Sequence, residues 1–219
     1  MYKHDLVYLT EDASHDAVIE LINEEAFGPG RFARAAARIR EQGPHDRSLS
    51  FICADDGETI ASVRMTPVFA GSVKGHLLGP LAVRPSHKNR GIGRELVRIA
   101  IEAARRKGSE AVILVGDPPY YGPLGFEKVA YNALAFPGPV DPGRVLVVPL
   151  AADTHERLKG TIAWHDGAVS AVIAEDIDDE DLPPVAIAVE TQRFPQIRPT
   201  AARALPRAGI FHLPVIRPT

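Results

Sequence analysis

The chain has 219 residues, of which 45% are hydrophobic and 24% charged, and its mean hydropathy is −0.05. This ordinary globular composition excludes wholesale disorder, a collagen-like repeat and a coiled coil. The 25 basic and 28 acidic residues give a net charge of −3, so the overall charge does not indicate a nucleic-acid-binding protein.

Cysteine and histidine usage gives no indication of a metal site. Cys53 is the single cysteine, which excludes an internal disulfide and a multi-cysteine zinc site. It lies in the apolar run of residues 50–54, which favours a buried structural thiol over a nucleophile. The eight histidines show no metal-ligand spacing. We therefore expect no metal cofactor.

The apolar segments are too short for a membrane protein. No run reaches the about 18 uninterrupted apolar residues that a membrane helix needs. The first residues lack the apolar core of a signal peptide. The chain is therefore predicted to be soluble and cytoplasmic, with no membrane partner and no nucleic-acid partner.

Strands and helices are mixed along the first two thirds of the chain. Apolar residues at helical spacing indicate the helices, and Asp56-Gly57 between two β runs is a hairpin signal. In chain order the pattern predicts strand 6–10, helix His15–Phe27 with Ser14 as N-cap, helix Phe32–Glu41, strands 50–55, 58–67 and Leu77–Val83, helix Gly91–Lys107, and strand Ala111–Val115. This order predicts an α/β or α+β fold around one sheet.

The composition changes near residue 150. Residues 175–181 contain six acids, and residues 183–219 contain seven prolines. We expect a core domain over residues 1–150 and a C-terminal extension over 151–219, packed on the core or on a second subunit, as in a homodimer. Its predicted short strands are Thr161–Trp164, Ala168–Ala174, Val185–Val189 and Ile210–Val215.

A glycine-containing turn before the longest helix is a candidate anion site. It consists of Lys88, Asn89, Arg90, Gly91, Ile92, Gly93 and Arg94. Small residues let the backbone approach a ligand, and the amides of a first helical turn lack intrahelical partners. The turn therefore suits a phosphate or pyrophosphate, and a helix start eased by glycine is the alternative. Leu96 replaces the third glycine of a dinucleotide fingerprint, and no Gly-Lys-Ser/Thr of a P-loop is present.

Three motifs follow one another between Leu77 and Val129. Lys88-x-x-Gly91-x-Gly93 is similar to the pyrophosphate motif Gln/Arg-x-x-Gly-x-Gly/Ala, with lysine in the first place. Leu81-Ala82-Val83-x-Pro85 precedes it, and Tyr121-x-x-x-Gly125-Phe126 follows it as a Tyr-x-x-x-Gly-Phe signature. In this order and spacing the motifs resemble the GNAT superfamily of acyl-CoA-dependent N-acyltransferases. The motif block covers about a quarter of the chain, and the order of elements extends the resemblance to residues 1–150.

The resemblance implies a GNAT fold whose mixed central sheet splays between its fourth and fifth strands, with helices on its flanks. Acetyl-CoA would be the acyl-donor cosubstrate. Its pantetheine would lie along the main chain of Leu81, Ala82 and Val83, and its pyrophosphate against amides from Asn89 to Arg94. Asp117 stands where relatives commonly have Asn and is counted with the cofactor-binding residues. Capping of the short helix that Pro118-Pro119 opens is its other expected role.

The resemblance further implies an N-acetyltransferase in which a primary amine attacks the thioester directly. Tyr121 would be the general acid that protonates the departing thiolate, and packing under the Gly125-Phe126 turn is the alternative. Tyr120 is expected to pack elsewhere. Relatives often carry a basic carboxylate on the fourth strand, where this chain has Leu78-Gly79-Pro80. The remaining candidate bases are His76, Glu24, Glu25 and Asp117.

Two other functions are compatible with the same motifs. A GNAT-fold protein without the fourth-strand carboxylate could act as a sensor that binds CoA or acyl-CoA without turnover. An acyltransferase with a longer acyl donor would keep the chemistry and change the substrate. The motifs do not specify the acceptor amine, because specificity depends on loops and on the first two helices.

Overall fold

Residues 6–30 and 35–166, which the computed structural model describes, form a mixed sheet covered by helices. The strands are β1 (Leu6–Thr10), β2 (Phe51–Asp55), β3 (Glu58–Ala70), β4 (Val73–Val83), β5 (Ala111–Val115), β6 (Glu127–Lys128), β7 (Leu134–Ala135), β8 (Val145–Pro149) and β9 (Gly160–Trp164). The helices are α1 (Asp16–Phe27), α2 (Ala35–Arg40), α3 (Ile92–Arg106), α4 (Pro118–Tyr121) and α5 (Thr154–Arg157).

The strand order of the sheet is β1-β2-β3-β4-β5-β8-β6, with β9 beside the end of β3 and β7 beside β9. Neighbours along this path are antiparallel except β4 and β5, which run parallel. The sequence-based prediction of a mixed α/β fold is therefore confirmed.

Helices pack on both faces of the sheet. Side chains alternate along a strand, and in β5 the residues Val112 and Leu114 join a buried cluster with α3. Ile113 belongs to a second buried cluster that includes Ile39 of α2. Both faces of β5 are thus covered, which explains its uninterrupted apolar sequence.

The predicted elements are present, with shifted bounds. The long helix spans Ile92–Arg106, β3 continues to Ala70, and β4 begins at Val73. Of the second predicted helix, Ala35–Arg40 is described and residues 31–34 lie outside the described residues.

The prediction of Ser14 as N-cap was wrong. A short 3-10 turn precedes α1, and the carboxylate of Asp12 caps it by accepting a hydrogen bond of 2.7 Å from the Ser14 backbone N–H. The Ser14 hydroxyl is itself bound by this carboxylate, to which it donates a hydrogen bond of 2.6 Å, and no side chain caps α1.

The chain after residue 150 contributes to the sheet as far as it is described. The predicted strand at Thr161–Trp164 corresponds to β9, which pairs with β3 and with β7. Leu158 and Ile162 are buried in the same cluster as Val68. The other strands predicted for the extension lie outside the described residues, and the boundary near residue 150 stays a prediction. Within the described ranges, no helix combines the length and apolarity needed to cross a bilayer.

Candidate active site

The sheet opens between β4 and β5. Their parallel ladder contains three pairs, from Gly75↔Ala111 to Leu77↔Ile113. Beyond Leu77, β4 remains paired with β3 as far as Ala61↔Val83. Pro80 lies in this part of β4 and has no N–H with which to continue a ladder. The main chain of Leu81–Val83 therefore has a strand partner on one side and a cleft on the other.

The glycine turn lies at the start of α3. Asn89 and Gly91 adopt positive φ values of 63° and 80°, a conformation that favours glycine and asparagine. The first backbone bond within the helix runs from the Glu95 N–H to the Gly91 carbonyl at 3.1 Å. The amides of residues 92–94 thus precede the intrahelical ladder, and no side chain caps them.

Gly93 is required by its surroundings. A Cβ at this position would lie 2.7 Å from the Tyr120 hydroxyl, 3.6 Å from a Val83 methyl and 3.8 Å from a Leu81 methyl. This close approach brings the start of α3 against the free end of β4. The two predicted donor-binding segments are therefore neighbours, as the sequence motif required.

The basic side chains of the turn have different environments. Arg90 Nη1 forms an ion pair of 3.0 Å with the buried carboxylate of Asp55. The guanidinium carbon of Arg94 lies 5.7 Å from the centroid of the Tyr120 ring. Lys88 is exposed. The Asp55 partner, 35 residues away from Arg90, has no signature in the sequence.

Tyr121 lies at the end of α4 beside the last residues of β5. Its ring packs edge-on against Phe126, with centroids 5.6 Å apart, and a Cβ at Gly116 would overlap it. Burial raises the pKa of Tyr121 to about 12, with smaller contributions from Tyr120 and Asp117 and an opposing one from Arg144. The phenol therefore keeps its proton at neutral pH. Tyr120 does pack, but its ring lies edge-on against the Tyr121 ring, with centroids 4.8 Å apart, and its hydroxyl reaches Gly93 at the start of α3.

Asp117 does not cap α4. It occupies the N-cap position, but its side chain makes no capping hydrogen bond and instead forms an ion pair of 3.0 Å with Arg144. The competing guanidinium overrides the capping preference of the residue. The capping prediction was therefore wrong.

A cavity of about 790 Å³ lies between the first two helices and the opened sheet. One part of the cavity is lined by Leu81, Asp117 and Tyr121. We use the name donor half for this part together with the main chain of Leu81–Val83 and the turn of residues 88–94. We call the opposite part the acceptor half. It is formed by side chains of α1, β3 and the segment after α2, including Asn23, His45, Arg64 and Thr66.

A buried carboxylate organises the acceptor half. Glu11, whose side chain is fully buried, accepts hydrogen bonds from Arg47 at 2.9 Å and from Arg64 at 2.8 to 3.1 Å. Its Oε1 also lies 2.8 Å from Nε2 of His45. Burial acts to raise the pKa of Glu11, but the hydrogen bonds from His45 and Arg64 outweigh it, so the pKa is lowered. Glu11 therefore remains ionised.

Two polar atoms of the acceptor half stand out because they are buried without a hydrogen-bond partner among the described residues. They are Oδ1 of Asn23 on α1 and Oγ1 of Thr66 on β3. Both side chains line the cavity and are at most 3% exposed. Buried polar atoms are rarely left unpaired in a protein interior, so these two mark the polar wall of the cavity.

Of the four candidate bases, Asp117 alone lines the cavity. Glu24 is exposed on α1, and Glu25 forms an ion pair of 2.9 Å with Arg84. His76 donates to or accepts from Ser109 at 3.0 Å, outside the cavity. Sequence reasoning missed Glu11 and its two partners His45 and Arg64, which lie 34 and 53 residues after it and share no motif with it. Cys53 is buried on β2, and burial raises the pKa of its thiol, as expected of a structural cysteine.

A sheet that opens beside a helix start with free amides is the arrangement that the motif resemblance implied. Residues 15–122 match the acetyltransferase (GNAT) family model. These residues therefore form a GNAT acetyltransferase domain. In the described ranges, no cluster of three or more His, Cys, Asp or Glu side chains forms a potential metal site.

Relatives of known sequence and structure agree with this assignment. The chain is 29% identical over 143 residues to the uncharacterized N-acetyltransferase YjhQ of Escherichia coli K12, which covers 64% of this chain and 78% of that protein. It is 29% identical over 154 residues to the uncharacterized N-acetyltransferase YhbS of the same strain, covering 68% and 89%.

Two solved structures share the fold. One is the GNAT family N-acetyltransferase YhbS from Escherichia coli in complex with CoA, with a TM-score of 0.63 and 25% identity over 75% of this chain and 92% of that one. The other is a GNAT family acetyltransferase from Brucella melitensis in complex with acetyl-CoA, with a TM-score of 0.56 and 24% identity over 75% and 98%.

Proposed function

We propose that this protein is an N-acetyltransferase that transfers the acetyl group of acetyl-CoA to a primary amine. The observation that carries the proposal is the opening of the sheet after Leu77, which places a free strand edge between the glycine turn and Tyr121. The GNAT acetyltransferase domain of residues 15–122 supports it. Similar proteins crystallised with CoA or acetyl-CoA support the identity of the donor.

The donor half fits acetyl-CoA. The pantetheine amides would pair with the main chain of Leu81, Ala82 and Val83, as an added strand does. The pyrophosphate would bind the free amides of Asn89, Arg90, Gly91, Ile92, Gly93 and Arg94, where the helix dipole favours an anion. The exposed ammonium of Lys88 and the guanidinium of Arg94 add positive charge.

Asp117 contributes to the donor half through Arg144. The ion pair of 3.0 Å holds a guanidinium on the cavity wall beside Tyr121. The carboxylate itself is mostly exposed. We therefore assign Asp117 a positioning role for the donor rather than a role in proton transfer.

The chain would accelerate the reaction mainly by holding the thioester and the amine together. The amine nitrogen attacks the thioester carbonyl carbon, the C–S bond breaks, and Tyr121 donates its proton to the departing sulfur. A thiol in water has a pKa of about 8.5, so a phenol with a pKa of about 12 is the weaker acid. Transfer is helped because burial in the same cavity also raises the proton affinity of the sulfur.

Calorimetric titration of the full chain with acetyl-CoA tests the donor assignment. We expect saturable binding, and no binding at near-millimolar ligand by folded protein would overturn the proposal. Release of free thiol in the presence of primary amines then tests turnover.

The absence of a carboxylate at Leu78-Gly79-Pro80 favours one second candidate, a sensor that binds acyl-CoA without turnover. Such a sensor would bind CoA and release no thiol above background with any amine. A preference for a longer acyl chain over acetyl would instead retain the chemistry and change the donor. The cytoplasmic location and the homodimer stay predictions.

A further inference from the structure

The attacking amine must lose a proton, and the acceptor half contains a histidine suited to receive it. His45 lines the cavity, and its side chain is 18% exposed. Its Nε2 lies 2.8 Å from Oε1 of the fully buried Glu11. A histidine held by a carboxylate on one ring nitrogen can accept a proton on the other.

The backbone on both sides of His45 is fixed. The Pro44 carbonyl accepts a hydrogen bond of 3.0 Å from the indole N–H of Trp164. The Asp46 N–H donates to the Met65 carbonyl of β3 at 2.7 Å. The imidazole is therefore carried by a segment that is anchored to two strands, β3 and β9.

The tautomer of His45 follows from the state of Glu11. An ionised carboxylate accepts hydrogen bonds and donates none. The neutral imidazole must therefore carry its hydrogen on Nε2, facing Glu11, and its lone pair on Nδ1. Among the described residues, Nδ1 has no hydrogen-bond partner.

Hydrogen bonds connect His45 to the strand that faces the opened part of β4. Arg64 sits on β3 between the pairs Val63↔Leu81 and Met65↔Leu78, opposite the segment where β4 has left β5. Arg64 Nη2 and His45 Nε2 each lie 2.8 Å from the same oxygen of Glu11. His45 is thus connected through Glu11 to Arg64 of β3, and both His45 and Arg64 line the cavity that Leu81 of β4 also lines.

The charged groups around His45 are nearly balanced. The acidic side chains that face His45 are Glu11 after β1, Asp16 and Glu20 of α1, and Glu41 after α2. The basic side chains that face it are Arg40 at the end of α2, Arg47 before β2 and Arg64 of β3. Arg47 and Arg64 both bind Glu11 and Asp16, so the positive charge closest to the imidazole is already compensated. A proton arriving on Nδ1 would enter a site with several carboxylates.

We propose that His45, positioned by Glu11, is the general base of the acetyl transfer. This inference rests on the proposed N-acetyltransferase function. The amine N–H proton passes to Nδ1, directly or through one water, as the C–N bond forms and the C–S bond breaks. The sulfur gains one proton from Tyr121, and the imidazolium returns one proton to the phenolate through solvent. The balance is one amide and one free thiol from each amine and thioester.

His45→Gln tests the proposal, because the glutamine amide can still donate to Glu11 but cannot act as a base. Thiol release from acetyl-CoA is measured with ethanolamine, n-propylamine and glycinamide as acceptors. We expect kcat to fall about 100-fold for each amine that the wild type accepts, as loss of a general base predicts. The dissociation constant of CoA is expected to stay within about twofold, because His45 lies outside the donor half.

His155→Gln is the matched control. His155 forms the same kind of pair with Glu127, at 2.7 Å, but both side chains are about half exposed and lie outside the cavity. We expect this variant to retain wild-type kcat. Equal kcat losses in the two variants would overturn the role of His45.

Chemical rescue separates a base from a structural residue. In His45→Gly, added imidazole should restore thiol release, and a series of methyl-substituted imidazoles should give rates that increase with their basicity. Rates that are independent of basicity would show that the ring only fills space and would overturn the proposal.

Failure of this inference is distinguishable from failure of the proposed function. If wild-type protein acetylates an amine and His45→Gln is equally active, only the base assignment falls. If acetyl-CoA binds and none of the amines is acetylated, both the transferase proposal and the assignment of His45 as the base are wrong.

Discussion

The donor half and the acceptor half of the cavity differ in what they are made of. The donor half consists mostly of main chain, namely a strand edge at Leu81–Val83 and free amides at residues 92–94, with the Tyr121 side chain beside them. The acceptor half consists of side chains from α1, β3 and the segment after α2, gathered around Glu11. Main chain can bind the same cosubstrate in many proteins, whereas a wall of side chains can change with the acceptor.

The largest expected effect is a loss of stability on substitution of Glu11, at the centre of the acceptor half. Glu11→Gln leaves Arg47 and Arg64 without their shared charge, and removal of one partner from a buried ionic cluster costs about 3 kcal/mol of unfolding free energy. Urea denaturation measures this loss. Glu102→Gln, whose partners Arg105 and Arg106 are exposed, is the control and should change stability by less than about 0.5 kcal/mol.

The same cluster predicts how stability depends on pH. The pKa of Glu11 is lowered in the fold, so its contribution is present above the ordinary carboxyl pKa of about 4.3 and is lost as the pH falls through the folded value. Wild-type unfolding free energy should therefore decrease more steeply below about pH 4 than that of Glu11→Gln. Parallel pH curves for the two proteins would contradict the role given to Glu11.

In the donor half, Tyr121→Phe removes the acid and keeps the ring packing on Gly116 and Phe126. We expect kcat to fall about 100-fold while CoA affinity stays within about twofold. Because the pKa of Tyr121 is about 12, the phenol should remain protonated across the working range and contribute no loss of wild-type activity below about pH 11. An unchanged kcat in Tyr121→Phe would show that Tyr121 contributes only to packing.

A smaller effect is expected from one charge at the glycine turn. Lys88→Ala removes an exposed ammonium beside the expected pyrophosphate and should weaken CoA binding about threefold to tenfold in calorimetry, less so at high salt. Lys128→Ala, an exposed lysine on β6, is the matched control. Equal affinities in the two variants would place the pyrophosphate elsewhere.

The smallest expected change is in Thr66→Val, which exchanges a buried hydroxyl without a partner among the described residues for a methyl group of similar size. We expect the unfolding free energy to rise by about 0.5–1 kcal/mol, because no hydrogen bond is lost and a polar atom is no longer buried. KM for the acceptor amine should rise at the same time, while CoA affinity stays constant. A stabilised variant with unchanged acceptor KM would show that Thr66 is not part of the acceptor half.

The two halves also differ in how far the sequence predicts them. Lys88-x-x-Gly91-x-Gly93 and the continuous strand Ala111–Val115 are local patterns, and the structure places them where the pattern indicated. Glu11, His45 and Arg64 lie far apart in the chain. They meet only because the sheet order β1-β2-β3 brings the end of β1, the segment before β2 and the middle of β3 together. The capping predictions for Ser14 and Asp117 failed because nearby charged groups, Asp12 and Arg144, bind these side chains instead.

The central claim is that the donor half delivers an acetyl group to an amine held in the acceptor half. The most direct measurement incubates the full chain with isotopically labelled acetyl-CoA and ethanolamine, and follows thiol by absorbance and the labelled acetyl group by nuclear magnetic resonance. We predict one N-acetyl amide for each thiol released. Thiol without amide, or binding of acetyl-CoA with neither product, would contradict the account.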